Sequence, residues 1–145
     1  MMKHKQPNEQ SGINIFELLL MVVILSVIAA LAVPSYMDFL KRSAFSSTAD
    51  LAEVLKINVE NCIKKQKNVQ GCTSGQHGIP VAVMPTDDLP GAKVFNGVIT
   101  MVAPLGKEAG ASGKTYILTP EYQGNNQLQW HSSGSACYSG YVACQ

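Results

Sequence analysis

Glu17 is a carboxylate at the head of an uncharged apolar run, LLLMVVILSVIAALAVPSYM from Leu18 to Met37. A run of about 20 predominantly apolar residues is long enough to cross a bilayer as a helix. A carboxylate in or near hydrocarbon costs about 3 kcal/mol on insertion scales, so such a group marks function and needs a partner. The other residues with usable chemistry are dispersed. Cys62, Cys72, Cys137 and Cys144 are an even set. Downstream of a membrane-targeting run they point to two disulfides in an oxidising compartment. Three pairings are open, and nearest-neighbour pairing closes the short loops Cys62–Cys72 and Cys137–Cys144. The spacings C-x9-C and C-x6-C differ from those of a zinc knuckle, so no metal is expected. Asp87-Asp88 could offer oxygens to calcium, but two adjacent carboxylates in a Pro-rich loop are weak grounds. His4, His77 and His131 form no catalytic constellation, and no Gly-rich segment has phosphate-loop spacing. The expectation is a protein without enzymatic role or cofactor.

The elements around Glu17 say how it is delivered. The leader MMKHKQPNEQSG carries Lys3 and Lys5, which favour keeping that end cytoplasmic. In an ordinary secretory signal the apolar core precedes the cleavage site and is discarded with it. Here Ser11-Gly12 stands before the apolar run, so a cut after Gly12 would leave that run at the new N-terminus. An uncleaved signal anchor is the simpler alternative.

These residues resemble the class III signal of type IV pilins and related pseudopilins. Gly12 matches the family's cleavage glycine, Ile13 its new first residue, Glu17 its acidic residue and Pro34 its helix proline. The match covers about a quarter of the chain. Ile13, Asn14 and Ser26 depart from it, standing where relatives most often have phenylalanine, threonine and glycine. The resemblance implies a prepilin peptidase that cuts after Gly12 and methylates the Ile13 amine. It also implies loss of helicity between Ser26 and Pro34 once subunits pack in a fibre.

The helix is expected to continue past the apolar run. From Ser35 to about Lys65 there is no glycine or proline. Leu40, Ala44, Leu51, Val54, Leu55, Val59 and Cys62 recur at helical spacing, with Lys41, Arg42, Glu53, Lys56 and Glu60 mostly off that face. A helix from Ile13 to Lys65 would be roughly 80 Å long at 1.5 Å per residue. Pro34 is expected to kink it. The basic cluster Lys64, Lys65 and Lys67 would complement the helix dipole at its C-terminal end.

Residues 68–91 read as a loop, rich in glycine and proline, with Cys72 tying its start back to Cys62. The segment CIKKQKNVQGCTSGQHGIP, Cys62 to Pro80, resembles the two-disulfide enterobacterial subgroup of type IVa major pilins. Strand-like stretches follow at Val94–Val102, Thr115–Thr119 and Gln127–His131, with the residues from Gln123 to Asn126 as the turn between the last two. Strands in sequence with short connections argue for an antiparallel meander. Ile117, Leu118, Leu128 and Trp130 are its expected core contributors. The segment from Cys137 to Cys144 reads as a disulfide-closed loop.

The expected fold is therefore α+β, the pilin fold: a long N-terminal helix, apolar then amphipathic, packed against a small antiparallel sheet. The expected divisions are a leader (1–12), an apolar transmembrane and fibre-core half-helix (13–37) and a globular head (38–145). The chain holds 11 Lys+Arg and 10 Asp+Glu. Removing the leader takes Lys3, Lys5 and Glu9, leaving side chains that sum to zero. A near-neutral subunit does not repel its copies strongly and lacks the basic charge that nucleic-acid binding usually shows.

The resemblance implies a structural subunit, a major pilin, first in the bacterial inner membrane and then in an extracellular fibre. Its partners would be copies of itself, the prepilin peptidase, an assembly platform with motor ATPases, and minor pilins. The fibre's implied roles are adhesion, twitching motility, biofilm formation or DNA uptake. The rivals are a type II secretion pseudopilin, a minor pilin binding DNA or a host ligand, and a membrane-anchored periplasmic enzyme. Pairing of the Glu17 carboxylate with an Ile13 amine, its own or a neighbour's, would set the register between subunits.

Overall fold

The computed structural model describes residues 12, 14–106, 110–123 and 127–145. The leader residues before Gly12, the Ile13 amine and the 124–126 turn lie outside the described residues.

One helix, α1 (Ile15–Gln66, 52 residues), opens the fold and runs unbroken through Pro34. It ends where Lys67 adopts φ 52°, the left-handed conformation that commonly closes a helix, with Lys64 and Lys65 in the last turn. The chain divides into two compact units, the first ending at Tyr36 and the second spanning 37–145.

In the first unit α1 is exposed along its whole described length. It is long and apolar enough to cross a membrane. Leu31 is 72% exposed and Phe16 75%, so nothing among the described residues covers this surface.

The second unit closes its own core. Four strands, β1 (Gly91–Phe95), β2 (Val98–Val102), β3 (Thr115–Gln123) and β4 (Gln127–Ser133), form an antiparallel meander in sequence order. A short helix, α2 (Ser135–Tyr138), follows. The buried residues of α1 in this unit are Phe45, Thr48, Ala52, Leu55, Val59, Cys62 and Ile63. Their first six positions step by three and four in alternation, the pattern of one helix face. The stripe expected from sequence mixed this face with its neighbour. Leu51 and Val54 are exposed, because each lies one position off the true stripe, beside Ala52 and Leu55.

The sheet answers that stripe with alternate residues. Ile99 pairs with Leu118 and Met101 with Tyr116, all four buried. Successive strand residues point to opposite faces, so Ile117 and Leu118 cannot both enter the core. Leu118 and Tyr116 do, and Ile117 stands half-buried on the other face. Leu128 and Trp130 pack on the core from β4. Phe45 is the aromatic centre, edge-on to Tyr116 at 6.1 Å and tilted against Tyr141 at 6.3 Å.

Two strand boundaries differ from the sequence reading. The stretch from Val94 to Val102 is two strands, because Asn96 and Gly97 (φ 47° and 81°) make a two-residue hairpin turn. Positive φ at both central residues is what a type I′ turn needs, and Asn-Gly supplies it. Strand β3 runs four residues past Thr119. Beyond Leu118 it pairs only with β4, so Pro120 stands on an open edge where a missing donor is tolerated.

Candidate functional site

Asn14 starts α1. Its carbonyl accepts from the Glu17 and Leu18 amides at 2.9 and 3.1 Å, and its side-chain oxygen accepts from Phe16 N–H at 3.3 Å. This is an N-cap, and asparagine and threonine both belong to the residues that serve there. Asn14 therefore keeps a capping side chain at its departure from the threonine of the resemblance. Glu17 follows in the first turn, where a negative charge complements the helix dipole. Its side chain is exposed and has no hydrogen-bond or ion-pair partner among the described residues. Gly12 is exposed ahead of the cap. Cleavage and methylation at Ile13 and the pairing of its amine with Glu17 fall outside the described residues.

Ser26 lies within the apolar run. Its hydroxyl donates to the Val23 carbonyl at 2.7 Å, so the polar group is satisfied inside its own helix. That makes a hydroxyl admissible in an environment without water.

In the second unit both disulfides join nearest neighbours, Cys62–Cys72 and Cys137–Cys144, with Cα atoms 5.9 and 5.6 Å apart. The first carries the segment after α1 onto the hairpin. Ser74 is bonded to Val94 in both directions, at 2.9 and 2.8 Å, and Gly97 N–H donates to the Cys72 carbonyl at 2.8 Å. The second closes the tail around α2. Gly134 precedes it at φ 116°, and a Cβ there would lie 2.4 Å from the Thr115 carbonyl oxygen, so only glycine fits.

A polar stitch that the sequence did not disclose joins helix and sheet. Trp130 Nε1–H donates to Glu60 Oε1 at 3.0 Å, Lys56 Nζ sits 5.8 Å from the centre of the indole ring, and Lys64 approaches Glu60 at 3.9 Å. Glu60 reads from sequence as an outward residue. The available signal was its place at i+4 from Lys56 and i−4 from Lys64.

The remaining candidates stay apart. His77 bonds Gln66 at 3.0 Å and His131 bonds Glu121 at 2.8 Å, both on the surface. Asp87 and Asp88 line a groove of about 380 Å³ with Ser43, Ser46 and Ser47. Among the described residues no three His, Cys, Asp or Glu side chains are grouped to hold a metal. An apolar groove of about 260 Å³ lies between Leu51, Val54 and Leu55 of α1 and Val81, Val83 and Leu89 of the following loop.

No protein-family model matches the chain. It is similar to "Prepilin peptidase-dependent protein D" of Escherichia coli (strain K12), 24% identical over 82% of this chain and 78% of that protein. It is similar to "Fimbrial protein EcpC" of Eikenella corrodens, 29% identical over 88% and 84% of the two chains. "Type IV major fimbrial protein FimA" of Dichelobacter nodosus is 35% identical over 45% of this chain and 38% of its own. These relatives support a type IV pilin family.

Proposed function

We propose that this chain is a structural subunit, a major pilin, of a type IV pilus. The observation that carries the reading is the first unit of α1: an exposed, uncharged apolar helix with one carboxylate, Glu17, in its opening turn. A surface of that length must be covered by lipid or by other helices. The fimbrial names of the relatives favour neighbouring copies as the final cover, and the length and apolarity of the helix suit lipid as the cover before assembly. The head faces away from the cytoplasm, since Lys3 and Lys5 precede the span.

In this reading a prepilin peptidase removes residues 1–12 and methylates Ile13. The platform and its ATPases then lift the subunit out of the bilayer into a helical array. Apolar burial between helices supplies most of the association energy. The amine created at Ile13 offers Glu17 a counter-charge, and a misplaced subunit would leave both charges unpaired in the bundle. The relative named for dependence on a prepilin peptidase supports the processing step.

The test is electron microscopy of sheared surface filaments with mass spectrometry of their subunit. Filaments built of this chain and beginning at methylated Ile13 are expected; an anchored, unprocessed chain would refute the reading. Glu17→Gln should leave membrane insertion intact and cut filament yield by about tenfold or more, the scale of losing a desolvated charge partner. Normal piliation in that variant would refute the pairing.

A further inference from the structure

We infer that Asn96 is a latent modification site, prone to deamidation through a succinimide, and that the segment anchored by Cys62–Cys72 holds it inert. Asn-Gly offers little steric resistance to this reaction, because glycine carries no side chain beside the attacking nitrogen. In the reaction the Gly97 nitrogen attacks Asn96 Cγ. The N–Cγ bond forms and the Cγ–Nδ2 bond breaks. Ammonia leaves, taking up the proton that the Gly97 nitrogen loses. Water then opens the five-membered imide to aspartate or isoaspartate. Water is the only co-reactant.

The structure engages both reacting groups. Gly97 N–H donates to the Cys72 carbonyl at 2.8 Å. The Asn96 side-chain oxygen accepts from Gly71 N–H at 3.3 Å, and the Asn96 amide donates to Thr73 Oγ1 at 3.2 Å. Gly97 is itself buried, and Pro120, Val69 and Ile63 side chains lie within 4 Å of where a Cβ on it would stand. Every one of these hydrogen-bonding groups belongs to residues 71–73, and Cys72 is fixed to α1 through Cys62. Attack therefore requires a local opening in which Gly97 leaves Cys72 and the Asn96 carboxamide turns away from Gly71.

The consequence of failure is specific. Isoaspartate inserts a methylene into the backbone of a two-residue turn whose length fixes the pairing of Val94 with Ile99. The disulfide thus protects the sheet's register against slow covalent change, beyond shortening the unfolded chain.

The experiment follows Asn96 in the oxidised full chain in detergent, in the Cys62→Ser/Cys72→Ser variant, and in a synthetic peptide spanning residues 91–102, all at mildly alkaline pH. Conversion is read by the mass of the peptide carrying Asn96 and by isoaspartate-specific methylation. Amide exchange at Ile99 and Leu118 reports whether the sheet is intact. Conversion in the oxidised chain is expected to be at least about tenfold slower than in the peptide, the effect of two hydrogen bonds that must open first. In the double variant with its sheet still protected, it should rise severalfold toward the peptide rate. If that variant loses sheet protection, Thr73→Val replaces it; it keeps the disulfide, removes the bond by which the Thr73 hydroxyl holds the Asn96 backbone amide against residues 71–73, and should raise conversion by a smaller factor, about twofold or more. An oxidised chain converting at the peptide rate, or a folded variant converting no faster than the oxidised chain, overturns the inference.

Discussion

The two halves of α1 use one secondary structure for opposite ends. Before Tyr36 every described side chain is exposed, and the helix has no packing partner among the described residues. After Met37 the same helix contributes Phe45, Ala52, Leu55 and Val59 to a closed core with four strands and two disulfides. Helical hydrogen bonding is common to both. What differs is the covering of the apolar side chains, so stability is an internal property of the head and a property of the surroundings for the first unit.

The sharpest way to break this contrast is Phe45→Ala, which removes the ring that touches Tyr116 and Tyr141. It should cost the head about 3–5 kcal/mol and leave membrane insertion unchanged, as thermal unfolding and membrane fractionation of the full chain would show. A loss of insertion would mean that the halves are not independent.

Removing either disulfide comes next. Closure of such short loops is worth about 2.5–3 kcal/mol each on chain-entropy grounds. Cys62→Ser/Cys72→Ser should cost more than Cys137→Ser/Cys144→Ser, by about 1 kcal/mol, because only the first also frees hydrogen bonds to the hairpin. Denaturant melts of the two variants decide the order, and equal losses would show that the clamp over Asn96 adds nothing.

Thr48 is fully buried, and its hydroxyl has no partner among the described residues. Thr48→Val keeps the shape and removes the orphan, so the head should gain about 1 kcal/mol, read as a rise of a few degrees in melting temperature. A loss instead would reveal a partner for that hydroxyl.

The smallest effect is a pH dependence. Burial first, and then the charge of Glu53, push the Tyr116 hydroxyl above the ordinary tyrosine value of 10.0, against a hydrogen bond from Ser132 that pulls it down. The folded value lies above the unfolded one, so the folded state holds this proton more tightly. The stabilisation is fully present below pH 10.0 and is lost as pH rises through the folded value. Tyr116→Phe should flatten that alkaline decline in melting temperature.

What the sequence disclosed follows the same division. The apolar run and the long helix were readable because composition and the absence of Gly and Pro act locally. The α+β architecture and the meander were readable from strand-like runs in order. The Asn96-Gly97 turn is a local signal, masked by the strand-forming residues that flank it on both sides. The true helix stripe was harder, since Leu51 and Val54 are as apolar as Ala52 and Leu55, and only the sheet decides which pair is covered. The extension of β3 past Pro120 depended on where β2 stops pairing, and the Glu60–Trp130 bond spans 70 residues. Both are tertiary facts that no window of sequence contains. At Glu17 the residue was conspicuous at once, yet no partner for it stands among the described residues, so the proposed pairing rests on sequence position alone.

The buried positions of α1 from Phe45 to Cys62 also restrict how this protein can change over evolutionary time. A single inserted or deleted residue there would rotate everything beyond it by about 100°, taking Leu55, Val59 and Cys62 off the sheet together. Only steps of about seven residues restore the facing, and such a step would also carry Cys62 about 10 Å away from Cys72. Point substitutions can accumulate along this stretch, but its length is locked, and gain or loss of residues must be absorbed outside it.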